Sequence, residues 1–115
     1  MKKTNSYEWV RITEDGKRAV VGITKEASRE LGEVVFVELP SVGAHLESGQ
    51  EVAVLESTKA ATDSYAPLKG KVIRVNESVK HSPTLITKDP HGEGWLYEIE
   101  LDSRHEYDCL KDYTT

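Results

Sequence analysis

The sequence of 115 residues has few of the residues that would mark several common classes of protein. It has one cysteine, Cys109, which excludes an internal disulfide and fits a reducing compartment. No apolar run approaches the roughly 20 residues that span a membrane, and no apolar stretch follows Lys2 and Lys3 as it would in a signal peptide. We therefore expect a single cytoplasmic domain, residues 1–115, without a membrane partner.

The net charge and the spacing of the histidines argue against further classes of protein. The net charge of −5 argues against nucleic-acid binding, because contact with phosphate backbones needs clustered lysine and arginine. None of the histidines is spaced to form a zinc site with another histidine or with cysteine; they are His45, His81, His91 and His105. Gly92-Glu93-Gly94 is followed by a predicted strand and not by a helix, so it is interpreted as a turn. No catalytic residue and no metal site are expected.

Apolar and turn residues alternate in the manner of a mainly β protein. Strands are predicted at 7–12, 19–23, 34–39, 51–56, 61–66, 71–76 and 95–101. Thr24 as N-cap and Gly32 after the last turn predict one short helix over residues 25–31. A second, C-terminal helix is expected within 103–112. Short strands separated by turns are typical of a β-sandwich or barrel.

The two P-x-x-G turns, at 40–43 and 67–70, each follow a predicted strand. They are compatible with a chance repeat and with two similar halves packed face to face. The expected core residues are apolar positions of the predicted strands: Val34, Phe36, Val52, Val54, Val72, Val75, Leu96 and Ile99.

Lys59 is the residue whose surroundings point to chemistry. It lies in a short polar segment between two predicted strands. A lysine at a hairpin tip is most often only solvated.

Sequence blocks around and beyond Lys59 resemble the glycine-cleavage H-protein family. ESTKA at 56–60 is similar to the family's lipoyl attachment motif ESVKA, with Thr58 as the one difference. SYEWV at 6–10 is similar to SHEWV, and DPHGEGW at 89–95 to DPYGEGW. Further blocks at 21–24 and 31–40 match in order, so the resemblance extends from residue 6 to residue 101. Tyr7, Thr87 and a shorter C-terminal tail are departures from the family pattern, and the first two are candidates for tuning the cleft or a partner contact.

The resemblance implies a fold and a site. The fold is a lipoyl/biotinyl-type barrel-sandwich hybrid of two antiparallel sheets, with lipoic acid attached covalently to Lys59 at an exposed hairpin apex. Glu56 matches a position linked to recognition by the lipoate-attaching enzyme. Ser6, Glu8 and Asp63 match a cleft that contacts the aminomethyl group, where a carboxylate would form a charge-assisted hydrogen bond with the amine. Chain position alone favours the interpretation of both acids as ordinary residues at strand edges, and the resemblance reverses that preference.

The resemblance also implies a carrier role. An aminomethyl group from glycine would be loaded on a pyridoxal-phosphate glycine decarboxylase and delivered to a folate-dependent aminomethyltransferase. A dihydrolipoamide dehydrogenase would then reoxidise the lipoyl group. The difficult steps belong to cofactors held by these partners, so a non-catalytic, monomeric carrier is expected.

Three alternatives remain open at this point. A lipoate relay would pass lipoyl groups from Lys59 to 2-oxoacid dehydrogenase subunits. A biotin carrier shares the fold, but biotinyl sites typically place methionine on both sides of the lysine, where this chain has Thr58 and Ala60. A plain binding module would leave Lys59 unmodified.

Overall fold

The computed structural model describes residues 1–114, which form two antiparallel sheets and four short helices. The larger sheet has the strand order β10-β1-β2-β3-β9-β8-β5. Its strands are β1 Lys2–Lys3, β2 Glu8–Ile12, β3 Arg18–Ile23, β5 His45–Leu46, β8 Gly70–Val75, β9 Tyr97–Leu101 and β10 Lys111–Asp112. The smaller sheet has the order β4-β6-β7, with β4 Val34–Glu38, β6 Glu51–Ser57 and β7 Ala61–Tyr65. The prediction of a mainly β protein with two antiparallel sheets is confirmed.

The helices are α1 Lys25–Leu31, α2 Glu77–His81, α3 Thr84–Lys88 and α4 Arg104–Asp108. The capping signals predicted α1 correctly: the Thr24 side chain accepts a hydrogen bond from the Ala27 N–H at 3.2 Å, and Gly32 ends the helix with φ of 83°. α4 confirms a C-terminal helix but is shorter than expected, because β10 follows it. None of the helices in residues 1–114 has the length and apolar character needed to cross a membrane.

The core lies between the two sheets. Of the eight residues that the sequence predicted for the core, four are fully buried. Val34, Val72, Leu96 and Ile99 are buried, while Val52 and Val75 are partly buried and pack against the same cluster. Trp9 is a buried residue that the sequence did not predict. Its ring fills the space above Gly22, where a Cβ atom would approach the ring to 2.6 Å, so this position requires glycine.

The core prediction is wrong for Phe36 and Val54. Phe36 is 48% exposed because the pairing of β4 with β6 shifts register between Val34 and Phe36, which turns Phe36 outward. On β6 the residues that face the core are Ala53 and Leu55, so Val54 lies on the opposite face and is only partly buried.

The C-terminal segment returns to the start of the chain. β10 pairs with β1, and the Tyr113 hydroxyl donates to Glu26 Oε1 of α1 at 2.5 Å. Burial and this hydrogen bond raise the pKa of Tyr113 to about 12, and the same bond lowers the pKa of Glu26. The short tail is thus held against α1, and α1 borders the site described below.

The orientation of β6 predicts that substitutions at two neighbouring positions lower the free energy of unfolding by different amounts. Leu55→Ala removes a fully buried side chain and should lower the free energy of unfolding by about 2–5 kcal/mol. Val54→Ala, on the outer face, should cost less than about 1 kcal/mol. Urea unfolding of both variants measures the difference. Equal costs would contradict the inward orientation of Leu55.

Candidate functional site

Lys59 lies exposed at the tip of the β6–β7 hairpin, where the sequence predicted it. The hydroxyl of Ser57 organises the turn by accepting hydrogen bonds from the N–H groups of Lys59 and Ala60, each at 3.1 Å. The Ser57 N–H donates to the Ala60 carbonyl at 2.8 Å and closes the turn. These bonds determine the position from which the lysine side chain starts.

The hairpin tip is also attached to the end of α1. The Thr58 N–H donates to the Glu33 carbonyl at 3.1 Å, just beyond the helix. The stem of Lys59 lies against Gly32, because a Cβ atom at Gly32 would be 3.3 Å from Lys59 Cε. With φ of 83° and ψ of −156°, this backbone conformation is itself nearly restricted to glycine. Gly32 therefore brings the lysine stem close to α1.

A cleft of ≈ 520 Å³ lies beside α1 and the hairpin. Three predicted site residues line it together: Ser6, Glu8 and Asp63. Ala60, the neighbour of Lys59, lines it as well, so the cleft extends to the base of the lysine. Glu56 is not part of the lining; it is exposed on β6, opposite Phe36.

The lining combines an apolar wall with carboxylates. The apolar residues are Ile23, Ala27, Leu31 and Leu55. The acidic residues are Glu8, Glu26, Glu30 and Asp63, and the described residues of the lining include no lysine or arginine. This combination suits a ligand with an apolar chain and a positively charged end.

Sequence reasoning missed Glu26 and Glu30. Both lie on α1, whose limits were predicted correctly. Their separation of four residues places them on one helix face, and this spacing is the signal that could have found them.

Glu8 is a buried carboxylate with its acceptor sites in use. It is 2% exposed. Its Oε1 accepts from the Thr4 hydroxyl at 2.5 Å and the Ser6 hydroxyl at 2.7 Å. Its Oε2 accepts from the Ser64 hydroxyl at 3.2 Å and the Tyr65 N–H at 3.1 Å. Since Glu8 belongs to the larger sheet and β7 to the smaller, the carboxylate joins the two sheets beneath the cleft. Asp63, in contrast, is exposed.

The two residue substitutions among the departures from the family pattern, Tyr7 and Thr87, lie in different places. Tyr7 lines the cleft, is 49% exposed and has φ of 67°, the one positive φ of a non-glycine residue in positions 1–114. Such a conformation costs of order 1–3 kcal/mol and is often found at binding sites. Thr87 lies outside this cleft, and its Oγ1 accepts from the Val34 N–H at 3.0 Å, which anchors the start of β4.

The structure combines two antiparallel sheets, an exposed lysine at a hairpin tip and an adjacent cleft that is both apolar and acidic. These features define a carrier domain of the lipoyl type. Comparison with known proteins identifies the family. The family model described as "Glycine cleavage H-protein" matches residues 1–114, and the chain therefore belongs to the glycine cleavage H-protein family.

Individual relatives agree with this assignment. The glycine cleavage system H protein of Thermotoga maritima is 50% identical over 113 residues, which cover 97% of this chain and 90% of the relative. That of Xylella fastidiosa strain M12 is 49% identical over 117 residues, with 99% and 88% covered. The crystal structure of the H protein from Mycobacterium marinum matches with a TM-score of 0.83 and 36% identity, covering 89% of this chain and 84% of that one.

Family membership confirms the resemblance seen in the sequence. The chain is a lipoyl-carrier protein of glycine cleavage, a carrier subunit in a family whose members hold lipoate covalently. The alternative role as a lipoate relay is not favoured.

The turn geometry predicts that Ser57→Ala destabilises the protein. The variant loses the acceptor for two backbone N–H groups at the hairpin tip, and the expected cost is about 1 kcal/mol in the free energy of unfolding. Ser41→Ala, in the exposed loop after β4, is the matched control and should change stability by less than about 0.5 kcal/mol. Chemical denaturation of both variants tests this, and equal stabilities would show that the Ser57 hydroxyl does not hold the turn.

Proposed function

We propose that Lys59 is the lipoyl attachment site of this chain and that the cleft beside it shelters the aminomethyl group derived from glycine. The observation that carries the proposal is the position of Lys59 at an exposed tip whose stem lies against α1, at the edge of an acidic and apolar cleft. The exposed tip suits modification and visits to partner enzymes, and the cleft suits storage between those visits.

The residues present fit a lipoyl-lysine arm. Amide formation removes the charge of the lysine amine, so an uncharged, largely apolar chain would lie along Ala27 and Leu31. The acidic groups of the cleft suit the cationic amine that such an arm carries when loaded. The lipoyl disulfide, when bound, supplies the group-carrying and thiol–disulfide chemistry.

We assign different roles to the two acids that the sequence predicted as contacts. Glu8 already accepts four hydrogen bonds, so it is a positioning residue that holds Ser6 and β7 in place around the cleft. Asp63 is exposed at the lining and supplies the carboxylate that receives the amine. The Ser6 hydroxyl donates its proton to Glu8, which leaves its oxygen as a further acceptor.

The proposed partners follow from this cycle. They are the pyridoxal-phosphate glycine decarboxylase, the folate-dependent aminomethyltransferase, dihydrolipoamide dehydrogenase and the lipoate-attaching enzyme, for which Glu56 is the proposed recognition residue. The non-catalytic character of the chain, its monomeric state, its cytoplasmic location and its organisation as one domain over residues 1–115 stay predictions.

The attachment proposal predicts that Lys59→Arg abolishes lipoylation. Arginine keeps the positive charge but is not an acceptor for the lipoate-attaching enzyme, and loss of an exposed side chain should change stability by less than about 0.5 kcal/mol. Intact mass after incubation with the attaching enzyme and lipoate is the measurement. Lys71→Arg, at an exposed lysine of β8, is the control and should be modified normally. A lipoyl adduct on the Lys59 variant would refute the assignment.

The division of roles predicts opposite phenotypes for Asp63→Asn and Glu8→Gln. Asp63→Asn should fold normally, but its loaded form should release formaldehyde and ammonia on the order of tenfold faster. A charge-assisted hydrogen bond is worth about 1.5–3 kcal/mol, and the solvent exposure of Asp63 reduces that value. Glu8→Gln places an amide NH₂ against existing donors, and it should lower the free energy of unfolding by about 1–3 kcal/mol.

Two assays separate the variants: thermal unfolding, and product release from the purified loaded carrier. Reoxidation of the dithiol by dihydrolipoamide dehydrogenase should be unchanged by Asp63→Asn, because that form carries no amine. Normal stability of Glu8→Gln, or normal release from Asp63→Asn, would contradict the corresponding role.

A further inference from the structure

Val35 and Phe36 form an exposed apolar patch on β4, with 52% and 48% of their surfaces accessible. Phe36 is the single phenylalanine of the chain. Successive residues of a regular strand point to opposite faces, so regular pairing would bury one of the two. The register shift between Val34 and Phe36 turns both side chains outward, while Val34 and Val37 face the core. The bulge thus maintains an aromatic and a branched side chain side by side on the surface.

The patch lies directly beside the hairpin that displays Lys59. Phe36 is paired across the sheet with Glu56, and Val34 with Ser57, the residue that organises the turn. Glu33, immediately before β4, accepts the Thr58 N–H at the hairpin tip. Val35 and Phe36 are not part of the cleft lining, so the patch is a separate surface next to the same lysine.

The length of the lysine side chain limits what can act on it before modification. An unmodified lysine extends its amine on only a four-carbon stem. An enzyme that acylates this amine must therefore bring its active site against the hairpin and the strands that flank it. The catalytic partners act on sulfurs at the far end of a much longer arm, and they can reach those sulfurs without touching β4.

The charges around the patch suit the same enzyme. Glu33 and Glu56 are both exposed; Glu33 precedes Val35 by two residues, and Glu56 is paired across the sheet with Phe36. Enzymes that activate a carboxylic acid through a phosphate-bearing leaving group hold that phosphate with lysine or arginine side chains. Carboxylates beside the acceptor lysine complement such a basic active-site entrance.

We propose that Val35 and Phe36, bordered by Glu33 and Glu56, form the docking surface for the lipoate-attaching enzyme. The inference rests on the proposed function of Lys59. During transfer, Lys59 Nζ forms an amide bond to the lipoyl carbonyl carbon, the bond from that carbon to the activating group breaks, and a proton of the amine leaves with that group. The apolar patch positions the enzyme so that the short lysine stem reaches the activated carbonyl.

The test is the rate of lipoylation of the purified, unmodified full chain by an ATP-dependent lipoate–protein ligase. A double variant, Val35→Thr with Phe36→Thr, keeps strand-favouring residues but removes the apolar surface. Its kcat/KM for lipoylation should fall on the order of tenfold or more through a higher KM, as expected on loss of an aromatic anchor. Val42→Thr is the matched control, because Val42 is a similarly exposed valine, with 61% of its surface accessible, outside the proposed docking surface. The next residue, Gly43, donates its N–H to the Val72 carbonyl, so Val42 lies beside the larger sheet and not in the β6–β7 hairpin. The control should be modified at the wild-type rate.

A second measurement distinguishes a specific loss of docking by the lipoate-attaching enzyme from a loss that affects every partner enzyme. Once lipoylated by prolonged incubation, the double variant should be reoxidised by dihydrolipoamide dehydrogenase within about twofold of the wild-type rate. Equal losses in lipoylation and reoxidation would overturn the inference, because the patch would then not be specific to attachment. If the double variant does not fold, Val35→Thr alone, which preserves side-chain shape, must still lower kcat/KM about threefold.

The remaining outcomes are also decisive. Wild-type lipoylation at Lys59 together with an unchanged rate for the folded double variant would overturn the docking surface and leave the proposed function intact. Failure of the wild-type chain to accept lipoate at Lys59 would refute the proposed function and the inference with it.

Discussion

The buried carboxylate of Glu8 is the interaction on which the site depends. It accepts hydrogen bonds from Thr4 and Ser6 before β2, and from Ser64 and Tyr65 of the smaller sheet. A buried carboxylate is tolerated only when such donors surround it, so each donor that is removed takes away part of that compensation. These hydrogen bonds therefore link the start of β2 to β7 of the smaller sheet beside the cleft.

The cleft and Lys59 meet through α1. This helix contributes apolar residues and two carboxylates to the cleft, and at its end Gly32 allows the stem of Lys59 to lie against the backbone. The hairpin is fixed to the same end of the helix by the Thr58 N–H. On the proposed function, an arm attached to Lys59 would therefore start at the edge of the cleft, beside Ala60 and the end of α1.

Much of this arrangement could be predicted from the sequence, and the failures have identifiable physical causes. Thr24 and Gly32 determine α1 through local hydrogen bonds and backbone conformation, so its limits could be predicted from neighbouring residues alone. Phe36 was assigned to the core because its predicted strand is almost continuously apolar. The register shift that exposes it arises from pairing with β6, where its partner is Glu56, 20 residues further along the chain. Lys59 was predicted as the attachment site from a motif, and its modification stays a prediction. Glu8 accepts two of its four hydrogen bonds from residues of β7. Because β7 is distant in the chain, no local sequence pattern predicts these donors.

The central claim is that this chain carries the aminomethyl group of glycine on Lys59. The most direct measurement is the mass of the Lys59 peptide after the lipoylated protein has been incubated with glycine and a pyridoxal-phosphate glycine decarboxylase. The account predicts that the peptide gains an aminomethyl group, and that the gain disappears when the aminomethyltransferase and tetrahydrofolate are added. A lipoylated Lys59 peptide that stays unchanged with an active decarboxylase would contradict the account.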